Sequence, residues 1–174
     1  MLKIFISSLL LLYAVATAAD HAFVGTKKCG MCHKGEKGSM VLEKWKEAAH
    51  SKAYEVLASE EATAIAKEMG VTGNPQEAGE CLECHSTGYG ADPKLTAKLV
   101  LANGVSCEAC HGAGFDYAKK PIMKDHKKSV LKGMVDSPKD VCVNCHKEEL
   151  KHVKKFVYEE RWDKIKHSRP AAAK

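Results

Sequence analysis

Apolar residues recur along this chain at helical spacing, with little of the alternation that marks strands. Leu42, Trp45, Ala49, Ala53 and Leu57 fall on one face of a helix predicted to run to about Leu57, with Ser39 as its cap. A second short helix is predicted from Glu60 to Met69, stopped by Gly70. Asn74-Pro75 reads as a turn. Asp92-Pro93 opens a helical run through Leu101, which Asn103-Gly104 ends. Ser137-Pro138 starts a further helix continuing through His152, and Phe156 to Lys166 reads as the last, closed by Arg169-Pro170. The expected fold is mainly α.

The N-terminus follows a different pattern. Met1-Leu2-Lys3 is a short positive start, Ile4 to Val15 an apolar run, and Ala16-Thr17-Ala18 a small-residue cleavage signal. The run is shorter than the ~20 residues a spanning helix needs. Residues 1–18 are therefore read as a signal peptide, cut after Ala18 or after Ala19. Residues 19–174 then form one exported, periplasmic domain with no run long enough to span a membrane.

Composition limits how such a domain can be stabilised. Aromatics are 6% of the chain and charged residues 28%, poor material for a large conventional core. The 8 cysteines change that picture. They form four copies of one pentapeptide: Cys29-Gly-Met-Cys32-His33, Cys81-Leu-Glu-Cys84-His85, Cys107-Glu-Ala-Cys110-His111 and Cys142-Val-Asn-Cys145-His146. Disulfide frameworks and zinc ribbons do not call for a His after every second Cys, and a redox dithiol occurs once, beside a βαβ pattern. Cys-x-x-Cys-His is the attachment signature of c-type heme, in which both thiols bond the porphyrin and the His reaches the iron. Four motifs without a spare cysteine imply four covalent hemes.

The hemes would supply much of the core, leaving the heme-free chain disordered. Their propionates offset the formal +5 charge, so the basic balance does not argue for a nucleic-acid partner. Lysines around exposed heme edges instead suit docking to acidic redox proteins. The second and third motifs are separated by one short helix and a turn, a segment able to hold two porphyrins close together.

Beyond His33, His85, His111 and His146, five histidines remain: His21, His50, His126, His152 and His167. That is enough to close the second axial position of all four irons. His50, on the face of the first helix with Ala53, Tyr54 and Leu57, is the best placed. His167 follows a helix carrying Phe156, Trp162 and Ile165. His126 lies in a polar loop, His152 among lysines, and His21 near the new N-terminus.

Three stretches carry a resemblance to a known family: Phe23-Val24-Gly25, Trp45-Lys46-Glu47-Ala48-Ala49-His50-Ser51-Lys52-Ala53, and Gly104-Val105-Ser106-Cys107-Glu108-Ala109-Cys110-His111-Gly112-Ala113-Gly114. With the four motifs they resemble the tetraheme cytochrome c-554 family over most of the mature chain. The resemblance implies helices and loops wrapped around closely packed hemes, three of them bis-His and the second five-coordinate. It places His50 opposite His111, and His126 opposite His33. His167 is then expected opposite His146, with His152 as the alternative. The heme of His85 is expected to be open, or capped by His21 or by a Met such as Met123.

Three functions fit this reading. The first is a periplasmic carrier passing electrons between redox proteins of unspecified identity. The second is a reductase of nitric oxide, hydroxylamine or nitrite at an open second heme. The third is a structural conduit, extracellular or at the outer membrane, in which copies stack into a wire or sit in an outer-membrane complex, with His21 on a free N-terminal arm as ligand donor to a neighbour.

Overall fold

The computed structural model describes residues 21–136 and 139–167. The signal-peptide reading, Ser137-Pro138 and Arg169-Pro170 lie outside these. Among the described residues there are helices, turns and loops but no strand. The first helix, α1 (Thr26–Gly30), runs into the first Cys-x-x-Cys-His. Then follow α2 (Val41–Glu47), α3 (Glu60–Glu68) and α4 (Gly79–His85), the last containing the second motif. Next come α5 (Pro93–Thr96) and α6 (Cys107–His111), which is the third motif itself. The chain continues through α7 (Lys120–Met123), α8 (His126–Leu131), α9 (Lys139–Cys142) and α10 (Tyr158–Ile165).

Locally encoded boundaries match the sequence. The Ser59 hydroxyl accepts from the Ala62 N–H and starts α3, and Gly70 follows its end at φ +75°. Asp92 caps α5 through the Lys94 N–H, with Pro93 in the first turn. Asn74 makes the expected turn, its side chain accepting from the Gln76 N–H.

The long helix predicted to Leu57 is broken. Ser39 and Met40 both adopt positive φ, so Ser39 is not a cap, and Ala48 is extended. Past that break come two 3₁₀ turns, Ala49–Lys52 and Glu55–Ala58. The cause is tertiary. The His50 carbonyl accepts from the Val105 N–H at 2.9 Å, and the Trp45 indole N–H donates to the Val105 carbonyl at 2.9 Å. The fourth-motif helix is likewise short: α9 ends at Cys142 instead of reaching His152.

The protein interior is small. Leu57, Ala66, Leu82 and Tyr117 are the buried apolar residues among those described, while Met31 is 65% and Leu131 82% exposed. Buried polar groups tie the motif-bearing loops together. Thr87, just past the second motif, accepts from the Ser106 N–H and donates to the Gly104 carbonyl. No described helix is long and apolar enough to cross a membrane.

Candidate heme-binding site

Seven of the eight cysteines are partly buried, and Cys32 is exposed. The thiols meet in a definite order. Cys29 of the first motif and Cys107 of the third share a hydrogen bond, which raises the Cys29 pKa and lowers that of Cys107. Cys145 of the fourth motif hydrogen-bonds Cys84 of the second; burial, then Cys84, pushes the Cys145 thiol up to about 12. Cys110 is raised by burial and then by the neighbouring Cys142, so the third and fourth motifs also adjoin. The attachment points thus run first, third, fourth, second. The backbones of the second and third motifs meet through Thr87 and Ser106, while their thiols lie beside those of the fourth and first motifs.

The imidazoles come together in pairs. His50 and His146 face each other with ring centroids 6.1 Å apart and planes at 71°. His111 and His167 are 5.8 Å apart, planes at 44°. Two imidazoles sharing one metal span about 6 Å, from two metal–nitrogen bonds of about 2 Å and about 1 Å from each nitrogen to its ring centre. Both pairs fit that span. The pairing differs from the sequence expectation: His50 faces His146, not His111, and His167 faces His111, not His146. The assignment depended on which loops meet across the fold, and the spacing of histidines along the chain does not encode that.

The electrostatics suit metal ligands, which must offer a neutral lone pair. Burial lowers the pKa of His50. Burial, then the charges of His167 and His33, lowers that of His111. His33 is lowered by burial and then by His167, and His146 by burial, His50 and Arg161. Phe156 stacks on the His146 ring at 4.4 Å and limits its rotation.

His85 is oriented differently. Its Nδ1 lies 2.6 Å from the Ala53 carbonyl, so Nδ1–H donates there and Nε2 keeps the lone pair. Among the described residues no second imidazole stands opposite it as His50 stands opposite His146.

Of the other histidines, two have carboxylate partners. His126 Nε2 is 2.9 Å from Asp136 Oδ1. His21 is not on a free arm: its Nδ1 is 2.7 Å from Asp116 Oδ2, and its ring lies against Gly133, where a Cβ would come within 2.7 Å. His152 lines a shallow surface cavity of about 240 Å³ with Ile65, Glu68, Met69, Glu149, Leu150 and Lys151. Sequence reasoning did not assign a role to Val105 or Glu108, although both lie in the segment carrying the family resemblance.

Paired imidazoles at metal-sharing distance, adjoining attachment cysteines and so small an interior define a multiheme c-type cytochrome, with heme c as its cofactor. Comparison with known proteins agrees. Residues 28–112 match the family described as cytochrome c554 and c-prime. It is 36% identical over 117 residues to cytochrome c-554 of Nitrosomonas europaea, a match covering 64% of this chain. The match spans 45% of that relative, about half its length. The fold is that of reduced cytochrome c554 from Nitrosomonas europaea, with a TM-score of 0.62 at 24% identity, covering 87% of this chain and 86% of that one.

Proposed function

We propose that the protein is an exported electron carrier, released by removal of residues 1–18 and working in the periplasm as a single domain over residues 19–174. Heme c supplies one-electron exchange at its iron. The chain's part is to hold four such centres in a row and to close most of them to other ligands. Cys29 and Cys32, Cys81 and Cys84, Cys107 and Cys110, and Cys142 and Cys145 provide the thioether attachments. His33, His85, His111 and His146 would each hold one of the irons.

The observation carrying this reading is the pair of imidazole pairs. His50 with His146, and His167 with His111, would fill both axial positions of two irons, leaving them able to exchange electrons but unable to take a substrate. For His33 the resemblance points to His126, whose Nε2 would first have to leave Asp136. Bis-imidazole ligation without an axial Met favours low potentials. The order of the thiol contacts favours passage along first, third, fourth and second motifs, entering and leaving at redox proteins docked at the two ends.

A second reading, reduction of a small nitrogen species at the His85 site, draws support from the lack of a facing imidazole there among the described residues. EPR and optical spectra of the ferric holoprotein, with and without nitric oxide, separate the two. Three low-spin irons and one high-spin iron that binds nitric oxide are expected. If nitric oxide, hydroxylamine or nitrite is then turned over under reducing conditions, the carrier reading gives way to the enzyme. Four high-spin irons would remove the bis-imidazole basis of the proposal. N-terminal sequencing of the periplasmic protein tests export, with Ala19 or Asp20 as the expected first residue.

A further inference from the structure

Glu108 lies between the two cysteines of the third motif, where a side chain on a short helix would ordinarily reach solvent. Instead it is 3% exposed. Its carboxylate accepts three backbone N–H groups: Val24 at 2.9 Å, Gly25 at 2.8 Å and Gly114 at 2.7 Å. These are the partners a buried carboxylate needs, and they come from two separate loops.

The cradle is built for this one group. A Cβ at Gly25 would meet the Lys98 carbonyl oxygen at 2.5 Å. A Cβ at Gly114 would come within 2.9 Å of Val24 and 3.1 Å of Glu108 itself. Gly25 directly precedes α1, and Cys29 of the first motif lies four residues further on, so the carboxylate joins the loops carrying the first and third motifs. Its charge acts on both Cys29 and Cys107, the hydrogen-bonded thiols of those motifs.

Among the described residues Glu108 makes no salt bridge, and its partners are backbone dipoles. A buried charge of this kind is weakly screened and acts strongly on a neighbouring redox centre. We propose, resting on the electron-carrier reading above, that Glu108 is a fixed negative charge that lowers the potentials of the first and third hemes together. Ferric iron carries one more positive charge than ferrous iron, so a fixed anion beside it favours the oxidised form. Glu108 is thus a positioning residue that sets these two centres apart from the second and fourth.

Potentiometric titration of wild-type and Glu108→Gln holoproteins, followed by optical and EPR spectra, tests this. Two of the four midpoints are expected to rise by about tenfold in the reduction equilibrium, or about 59 mV for one electron. The other two midpoints and all EPR g values should remain. An equal shift in all four, or no rise in any, overturns the proposal. Glu108→Asp retains the charge while loosening the cradle, so its midpoints should stay near wild type even if its melting temperature falls. A rise in Glu108→Asp matching that in Glu108→Gln would reduce the residue to a clasp; if Glu108→Gln yields no holoprotein, a rise of about 59 mV in the two midpoints of Glu108→Asp rejects the proposal alone. The carrier reading itself fails separately, on the wild-type spectra.

Discussion

Trp45 fixes Val105, and through it His50: the indole N–H donates to the Val105 carbonyl at 2.9 Å, and the Val105 N–H donates to the His50 carbonyl at 2.9 Å. The imidazole facing His146 is therefore mounted on a segment anchored from another part of the chain. Trp45→Phe removes one hydrogen bond and leaves a carbonyl without its donor, at a cost of about 1 kcal/mol. The low-spin EPR signal assigned to the His50–His146 pair should broaden while the others keep their shape.

Gly104→Ala tests the same mount more severely. Gly104 has φ +60° and ψ −137°, a conformation open to glycine, and a Cβ there would meet the His50 carbonyl oxygen at 2.6 Å. The strain amounts to about 1–3 kcal/mol before the clash is counted. Thermal unfolding of the holoprotein should rank Gly104→Ala below Trp45→Phe. The reverse order would mean that the close approach to His50 is not maintained in solution.

His50→Ala and His167→Ala separate the two imidazole pairs. Each should convert one low-spin ferric heme to high spin and open one site to carbon monoxide in the reduced state. The double variant should open two. If His50→Ala and His167→Ala affected the same heme, the pairing of His50 with His146 and His167 with His111 would be wrong.

The acid limb of stability should carry a contribution from Asp116. The hydrogen bond from His21 is the chief cause that holds this carboxyl below its ordinary 3.8, with His21, Lys119 and Lys132 charges adding to it. A carboxylate with a depressed folded pKa contributes stability above its unfolded value and loses it as pH falls through the folded one. Acid unfolding of wild type and Asp116→Asn should therefore differ above the ordinary carboxyl value of 3.8 and converge once the pH has fallen below the folded carboxyl's depressed value. A gap that persisted at lower pH would assign the difference to packing against Gly133 instead of to charge.

The features legible in the sequence are those decided by neighbours in the chain. Cys-x-x-Cys-His is contiguous chemistry, so all four motifs could be read directly. Ser59, Asp92 and Asn74 act on backbone groups two or three residues away, and the elements they start begin where expected, although the run from Asp92 ends at Thr96 instead of continuing through Leu101. The break at Ala48 was hidden because its cause, Val105, lies 60 residues beyond the Trp45 that holds it. The partners of His50 and His167 were hidden for the same reason. Glu108 is the clearest case: only the approach of residues 24–25 and 114 turns it into a buried anion.

Removing the hemes should remove the fold. With Leu57, Ala66, Leu82 and Tyr117 as the buried apolar residues among those described, the polypeptide lacks the apolar burial that offsets chain entropy. A variant with every motif cysteine changed to serine, or wild type made without heme attachment, should show little helical circular dichroism and no cooperative melting. A sharp thermal transition in either would mean that the polypeptide holds its shape unaided.

So small an interior also bears on quality control in the cell. A chain that misses a heme lacks part of what orders it, and its loops stay open to proteases. Incompletely loaded molecules should be cleared before they can accumulate as carriers that accept an electron and fail to pass it on. Folding then acts as the inspection step for cofactor loading, and the surviving population is nearly uniform in its complement of four.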